Sequence, residues 1–202
     1  MRKAIMNHFQ QHDPILYSYI KKVGLIEDLK QSPPESFFSH LCREIIFQQL
    51  SDKAGTAILK RFENLFPQHT MTPEVLMNTP HESIRGVGLS HAKARYVKNI
   101  AEAINGKTID LASLPEATDE KVIQELTKIK GVGKWTAEMF LMFVLGREDI
   151  FSFGDLGLRN GLKKVYGIKK NPSDRTINRI VNQWKPFRTY GCLILWRSLD
   201  VK

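Results

Sequence analysis

Apolar residues recur at spacings of three and four through most of the chain, which is the signature of amphipathic helices. From Glu35 the series Phe37, Phe38, Leu41, Ile45, Ile46, Leu50 predicts one helix, ending in Phe47-Gln48-Gln49-Leu50-Ser51. Ala54, Ala57, Ile58, Leu59, Phe62 and Leu65 predict the next, closed by Pro67. The most apolar helix runs from about Lys134 to Leu145. A side-chain acceptor followed by proline marks helix starts at Asp13-Pro14, Thr72-Pro73 and Thr79-Pro80. The first of these helices stops at Gly24, and Ser32-Pro33-Pro34 breaks the chain. Residues 1–12 read as a helix or a frayed arm. Residues 90–105 and 119–127 read as helices, as do 156–166, 173–184 and 186–199, with Pro186 near the start of the last. No segment alternates with a period of two. The expectation is an all-α fold of about ten helices.

Two glycine-rich turns interrupt this pattern. Ile84-Arg85-Gly86-Val87-Gly88-Leu89-Ser90-His91-Ala92 and Ile129-Lys130-Gly131-Val132-Gly133-Lys134-Trp135-Thr136-Ala137 share isoleucine, a base, Gly-Val-Gly and alanine at equal offsets, 45 residues apart. Glycines allow a tight turn and a close approach to another molecule. Amides at the start of the following helix lack partners within it and suit a phosphate. Gly86, Gly88, Ser90 and Lys93 in the first turn, and Gly131, Gly133, Lys134 and Thr136 in the second, are therefore candidate contacts to a nucleic-acid backbone. The carbonyls of Thr127, Ile129 and Val132 are candidate ligands for a Na or K ion when DNA is bound. The competing reading is a plain turn between helices with a glycine at the helix end.

Charge narrows the choice of partner. The 202 residues carry a formal net charge of +9, which favours a polyanion such as nucleic acid. The length suits one globular unit or two small lobes sharing a core. With two cysteines, Cys42 and Cys192, one chain cannot furnish a four-cysteine iron–sulfur or zinc site. Both lie in apolar helical runs and are expected as buried thiols. The start MRKAIMNHFQ lacks the apolar core of a secretory signal, and no apolar run is long enough to span a membrane. An intracellular protein is expected.

The stretch Leu126–Asp155 resembles the helix–hairpin–helix DNA glycosylase superfamily, named for its hairpin, a Gly/Pro-rich loop and its Asp. It is most similar to the monofunctional 3-methyladenine DNA glycosylase II branch. Three blocks carry the likeness: Gln49-Leu50-Ser51, Gly131 through Ala137, and Trp184-Lys185-Pro186-Phe187-Arg188-Thr189-Tyr190 through Trp196. The 20-residue spacing from Trp135 to Asp155 also fits. The resemblance covers nearly the whole chain, without the β-rich N-terminal domain of a longer bacterial member. It implies a single glycosylase domain over 1–202, two-lobed, with the active site in the cleft between lobes. The hairpin motif would span about 119–146, and a second hairpin-like turn about 80–105. Asp155 is the implied catalytic acid, and Trp135, Trp196, Tyr190 and Met139 the implied base pocket. Leu50 would intercalate, with Gln49 beside it. The sequence departs from the family in lacking the usual proline before the Asp (Phe153-Gly154-Asp155), and in Met139 where an aromatic is usual. In the combined glycosylase/lyase members a lysine stands at the Trp135 position. Without that amine no Schiff base forms. Lys134 is one residue away and rotated by about 100°, so hydrolysis without strand nicking is implied. No cofactor is expected.

The chemistry fits these residue types. Glycosidic cleavage passes through an oxocarbenium-like sugar, which a carboxylate stabilises or supplies with activated water. An alkylated purine is cationic and already a good leaving group, and indole rings attract such a cation. The bland readings stand beside these: Asp155 as the N-cap of the next helix, Trp135 and Trp196 as core, and Gln48 and Gln49 as helix-end caps. Arg85, Arg95, Lys98 and Arg188 are phosphate neighbours or simply solvated charges. The leading function is excision of alkylated purines from duplex DNA by a monomer without membrane contact, in the cytoplasm or nucleoid of a prokaryote or the nucleus of a eukaryote. A non-catalytic DNA-binding module and a glycosylase for a deaminated or mispaired base are the alternatives.

Overall fold

The computed structural model describes residues 2–24, 26–66 and 70–201, and of Asp52 the backbone alone. Twelve α-helices are found among the described residues, and no strand. In chain order they are α1 (Lys3–His12), α2 (Pro14–Val23), α3 (Phe37–Phe47), α4 (Asp52–Glu63), α5 (Pro73–Asn78), α6 (His81–Gly86), α7 (His91–Asn105), α8 (Asp119–Leu126), α9 (Lys134–Phe143), α10 (Leu156–Tyr166), α11 (Asp174–Val181) and α12 (Arg188–Asp200). Most start on a side-chain oxygen that accepts a first-turn amide: Asp13 for α2, Ser51 for α4, Thr72 for α5, Ser90 for α7, Thr118 for α8, Asp155 for α10 and Ser173 for α11.

Several expected boundaries move. Thr79 does not cap α6; its hydroxyl donates back to the Val75 carbonyl (2.8 Å) as α5 closes, and α6 starts after Pro80 with no side-chain cap. The most apolar helix ends at Phe143, not Leu145. The helix expected over 173–184 is α-helical only to Val181, and Asn182–Trp184 tightens into a 3-10 turn. The last helix starts at Arg188, because Phe187 (φ −119°, ψ 31°) is not helical, and Pro186 lies outside it. Pro67 lies outside the described residues.

The chain forms two compact units, Ser32–Leu145 and a second made of Met1–Gln31 with Gly146–Lys202. In the first, α3 packs on α4, α7 and α9, and α8 on α9. Phe37, Leu41, Ile45, Phe62, Leu76, Val97, Ile100 and Phe140 are fully buried there. In the second, α10 lies along α12, where Gly161 is closed on by the Leu195 backbone; a Cβ at Gly161 would stand 2.8 Å from it. A buried polar hub sits under α2. Asp13, besides capping α2 through the Leu16 amide (2.9 Å), accepts from the buried Trp184 Nε1 (2.7 Å) and from the Tyr166 hydroxyl. Burial and the adjoining Asp13 push the Tyr166 pKa far up. No helix among the described residues is long and apolar enough to cross a membrane. Cys42 and Cys192 are buried thiols, and Cys192 Sγ donates to the Ile150 carbonyl (3.6 Å).

Candidate active site

Asp155 combines the two readings the sequence left open. As N-cap of α10 its Oδ1 accepts from the Leu158 amide at 2.7 Å. The same oxygen accepts from Trp196 Nε1 at 3.0 Å. Gly157 makes this approach possible, since a Cβ there would stand 3.0 Å from the indole and 3.1 Å from Asp155 Oδ1. Both Asp155 and Trp196 are half-buried, so the acid is oriented yet still reachable. Two donors fixing one carboxylate oxygen are what pre-organised charge requires.

The loop that delivers Asp155 is tied down along its length, without the family's usual proline. At its start, the Thr189 hydroxyl donates to the Arg147 carbonyl (2.7 Å) and accepts from the Ile150 amide (3.0 Å). Arg188 grips Asp149 through Nε (2.7 Å) and Nη2 (3.1 Å). At its end, Arg159 Nε holds the Phe153 carbonyl (2.9 Å), while its other nitrogens reach the Pro172 carbonyl and Asp174. Ile150, Phe151 and Ser152 are buried between these ties. Sequence reasoning missed Thr189, Arg159 and Asp149. Pairings 39 to 42 residues apart leave no periodic trace, although Arg159, one turn into α10, offered a local signal.

In the other unit, the two hairpins differ from the expected register. Gly88 and Gly131 have the left-handed φ, +108° and +107°. Gly86 instead ends α6 in helical conformation, and Gly133 is extended (φ −90°, ψ 174°). The structural equivalents are therefore Gly88 with Gly131 and Ser90 with Gly133, 43 residues apart rather than 45. At the start of α7 the Ser90 hydroxyl takes the Lys93 amide (3.2 Å). At the start of α9, Gly133 provides no side-chain cap, and a Cβ there would meet no atom within 4 Å. The first hairpin thus leads into a helix start capped by Ser90, and the second into one whose N-cap residue supplies no side-chain cap. The second is also braced. Tyr96 packs so closely on Gly131 that a Cβ there would come within 2.2 Å of its ring, and Asn99 Nδ2 donates to the Lys130 carbonyl at 2.8 Å. Within this hairpin the Ile129 carbonyl accepts the Val132 amide (3.0 Å).

The expected pocket and backbone contacts are sorted by burial. Trp135 is half-exposed on the first turn of α9. Met139 is buried in the core and has no surface to offer a base. Tyr190 is corrected likewise: it is fully buried, its hydroxyl accepting the Leu29 amide and donating to Glu148, both at 3.1 Å, and burial raises its pKa. The Thr136 side chain is buried, its hydroxyl accepting from Gln48 Nε2 (3.0 Å), so the hydroxyl is engaged within the protein. The Lys93 ammonium is turned inward to the end of α3, donating to the carbonyls of Ile46 (2.8 Å) and Gln48. Lys134 is exposed, 3.8 Å from Glu138. Of the further cations, Arg85 pairs with Glu82 (2.6 Å), Arg188 with Asp149, and Lys98 donates to the Met77 carbonyl. Leu50 is an exposed leucine after α3, and Gln49 before it has φ +58°.

Comparison with known proteins places this architecture. The family model for the HhH-GPD superfamily base excision DNA repair protein matches residues 42–187. DNA-3-methyladenine glycosylase 1 of Schizosaccharomyces pombe is 33% identical over 185 residues, covering 89% of this chain and 79% of that protein. A relative in Bacillus subtilis, 30% identical over 171 residues, is longer, and the match covers 60% of it. Among solved structures, the S. pombe 3-methyladenine DNA glycosylase Mag1 in complex with abasic DNA superposes with a TM-score of 0.89 at 30% identity, covering 98% of both chains. The DNA-3-methyladenine glycosidase of Bacillus halodurans gives 0.80 at 36% identity, covering 98% of this chain and 89% of that one. The chain belongs to the HhH-GPD superfamily of base excision DNA repair proteins and is a DNA glycosylase.

Proposed function

We propose that this glycosylase hydrolyses the N-glycosidic bond of alkylated purines, of the 3-methyladenine and 7-methylguanine type, in duplex DNA, and that it does not cut the strand. The observation that carries the reading is the Asp155 carboxylate, half-exposed and held on one oxygen by Leu158 N–H and Trp196 Nε1–H. Placed beside the sugar, it stabilises the oxocarbenium-like transition state and accepts a proton from the attacking water. The leaving base carries its own positive charge, so one carboxylate suffices. The half-exposed Trp135 ring attracts that cation by about 0.5–2 kcal/mol. It also occupies the position where a lyase carries its amine, which leaves water as the nucleophile. Leu50 fills the stack when the base turns out. The amides at the uncapped start of α9, with Lys134, hold the backbone, and Thr127, Ile129 and Val132 hold a monovalent cation there that lowers the charge of the adjacent phosphate. The names of the relatives support the substrate class, and the abasic-DNA complex of the S. pombe structure supports DNA as partner.

Incubation with methylated duplex DNA tests this directly. Free 3-methyladenine or 7-methylguanine should appear while the strand stays intact until alkali is added, and borohydride should trap no protein–DNA adduct. Release of a deaminated base alone, or a trapped adduct, contradicts it.

A further inference from the structure

We propose that Lys93 is a positioning residue that holds the Gln48–Leu50 loop in the shape that presents Leu50 to DNA. The inference rests on the wedge role given to Leu50 above. Helix α3 stops at Phe47 because Gln48 turns away (φ −47°, ψ 126°) and Gln49 takes a left-handed φ of +58°. A glutamine there is conformationally disfavoured, and such a residue persists only where its surroundings over-determine it. The surroundings are visible. The Lys93 ammonium donates to the carbonyls of Ile46 and Gln48, which the ended helix leaves without the next turn's amides. A cation at a helix C-terminus also meets the favourable end of its dipole. The Gln48 side chain is tied separately, donating to the buried Thr136 hydroxyl on α9. Leu50 itself keeps one backbone tie, its amide to the Phe47 carbonyl (3.1 Å), and its side chain is exposed.

This arrangement divides labour between the two hairpins. In the first, Ser90 takes the Lys93 amide and so closes the start of α7, while the Lys93 side chain carries the wedge loop. In the second, Gly133 supplies no side-chain cap to α9, and Thr136, three residues on, steadies the same loop through Gln48. Partial removal from water lowers the Lys93 pKa, and the two carbonyls that accept from its ammonium favour the charged form.

Affinities for an abasic-site duplex and for the same duplex undamaged test this, and their ratio measures discrimination. Removing a positive charge weakens both affinities, so the ratio isolates the wedge. Lys93→Met should lower the ratio at least fivefold and Lys93→Arg should restore most of it. The Leu50→Ala/Lys93→Met double variant should discriminate no worse than Leu50→Ala alone, since the two act as one unit. Should Lys93→Met fail to fold, Lys93→Gln, which keeps a donor of one bond, is read in the same way. An unchanged ratio for the Lys93 variants, with Leu50→Ala still lowering it, overturns the positioning role. An unchanged ratio for Leu50→Ala removes the wedge itself, and the proposal with it.

Discussion

Trp196 Nε1 donates to Asp155 Oδ1 at 3.0 Å, across 41 residues of sequence. The indole is thereby an orienting group for the acid, whatever its ring does for a base. Trp196→Phe keeps a ring and removes the donor. A hydrogen bond to a charged group is worth about 1.5–3 kcal/mol, so single-turnover excision should slow roughly ten- to a hundredfold. Affinity for an abasic duplex and the melting temperature should change little. Full activity in this variant would show that the bond is incidental.

The hairpin glycines should separate stability from DNA binding. Gly131→Ala forces a side chain onto Tyr96 at φ +107° and should cost about 2–5 kcal/mol in urea denaturation, from the left-handed backbone and the overpacking together. Gly133→Ser meets no atom and supplies the cap that Ser90 gives α7. It should hold or raise stability by up to about 1 kcal/mol. Its hydroxyl then competes with phosphate for the same amides, and DNA affinity should fall severalfold. Unchanged affinity in a stable Gly133→Ser protein would argue against phosphate binding at that helix start.

Glu44 is buried on α3, and burial holds its carboxyl above the usual range, partly opposed by Arg43 at 3.5 Å. A folded-state pKa above the unfolded value gives a contribution that is present at low pH and lost as pH rises through the folded pKa. Above that raised pKa the charge is therefore a burden, and Glu44→Gln should raise the urea midpoint there. The advantage should shrink as the pH falls through the raised pKa and wild type takes up its proton. A Glu44→Gln protein less stable than wild type above that pKa would mean that Glu44 holds its charge for a structural pairing.

The helices and most caps were legible because they are local: an acceptor before a periodic apolar run recurs at Asp13, Thr72 and Asp155, each accepting a first-turn amide, whereas Ser90, read as a phosphate contact, is itself the cap of α7. Asp155 stood out as an acid in an apolar loop. The hairpins were legible as hairpins but not in register. The Gly-Val-Gly strings align at 45 residues, whereas the backbone places its left-handed glycine at Gly88 and Gly131, because Val87 and Gly88 still belong to the turn that closes α6. The inward turn of Lys93, the burial of Tyr190 and the clamps of Thr189 and Arg159 were not legible. Each depends on a partner brought close by tertiary packing, and basic or aromatic residues look alike in sequence whether they face solvent or core.

The central claim is that the charge of Asp155, not its cap, drives the chemistry. Asn caps a helix as well as Asp does, and Asp155→Asn keeps an oxygen for Leu158 N–H and Trp196 Nε1–H. The decisive measurement is the single-turnover rate of 3-methyladenine release by wild type and Asp155→Asn, with abasic-duplex affinity measured alongside. A fall of roughly a thousandfold in rate with affinity and melting temperature retained is predicted. Equal rates would contradict the account and leave Asp155 as a helix cap alone.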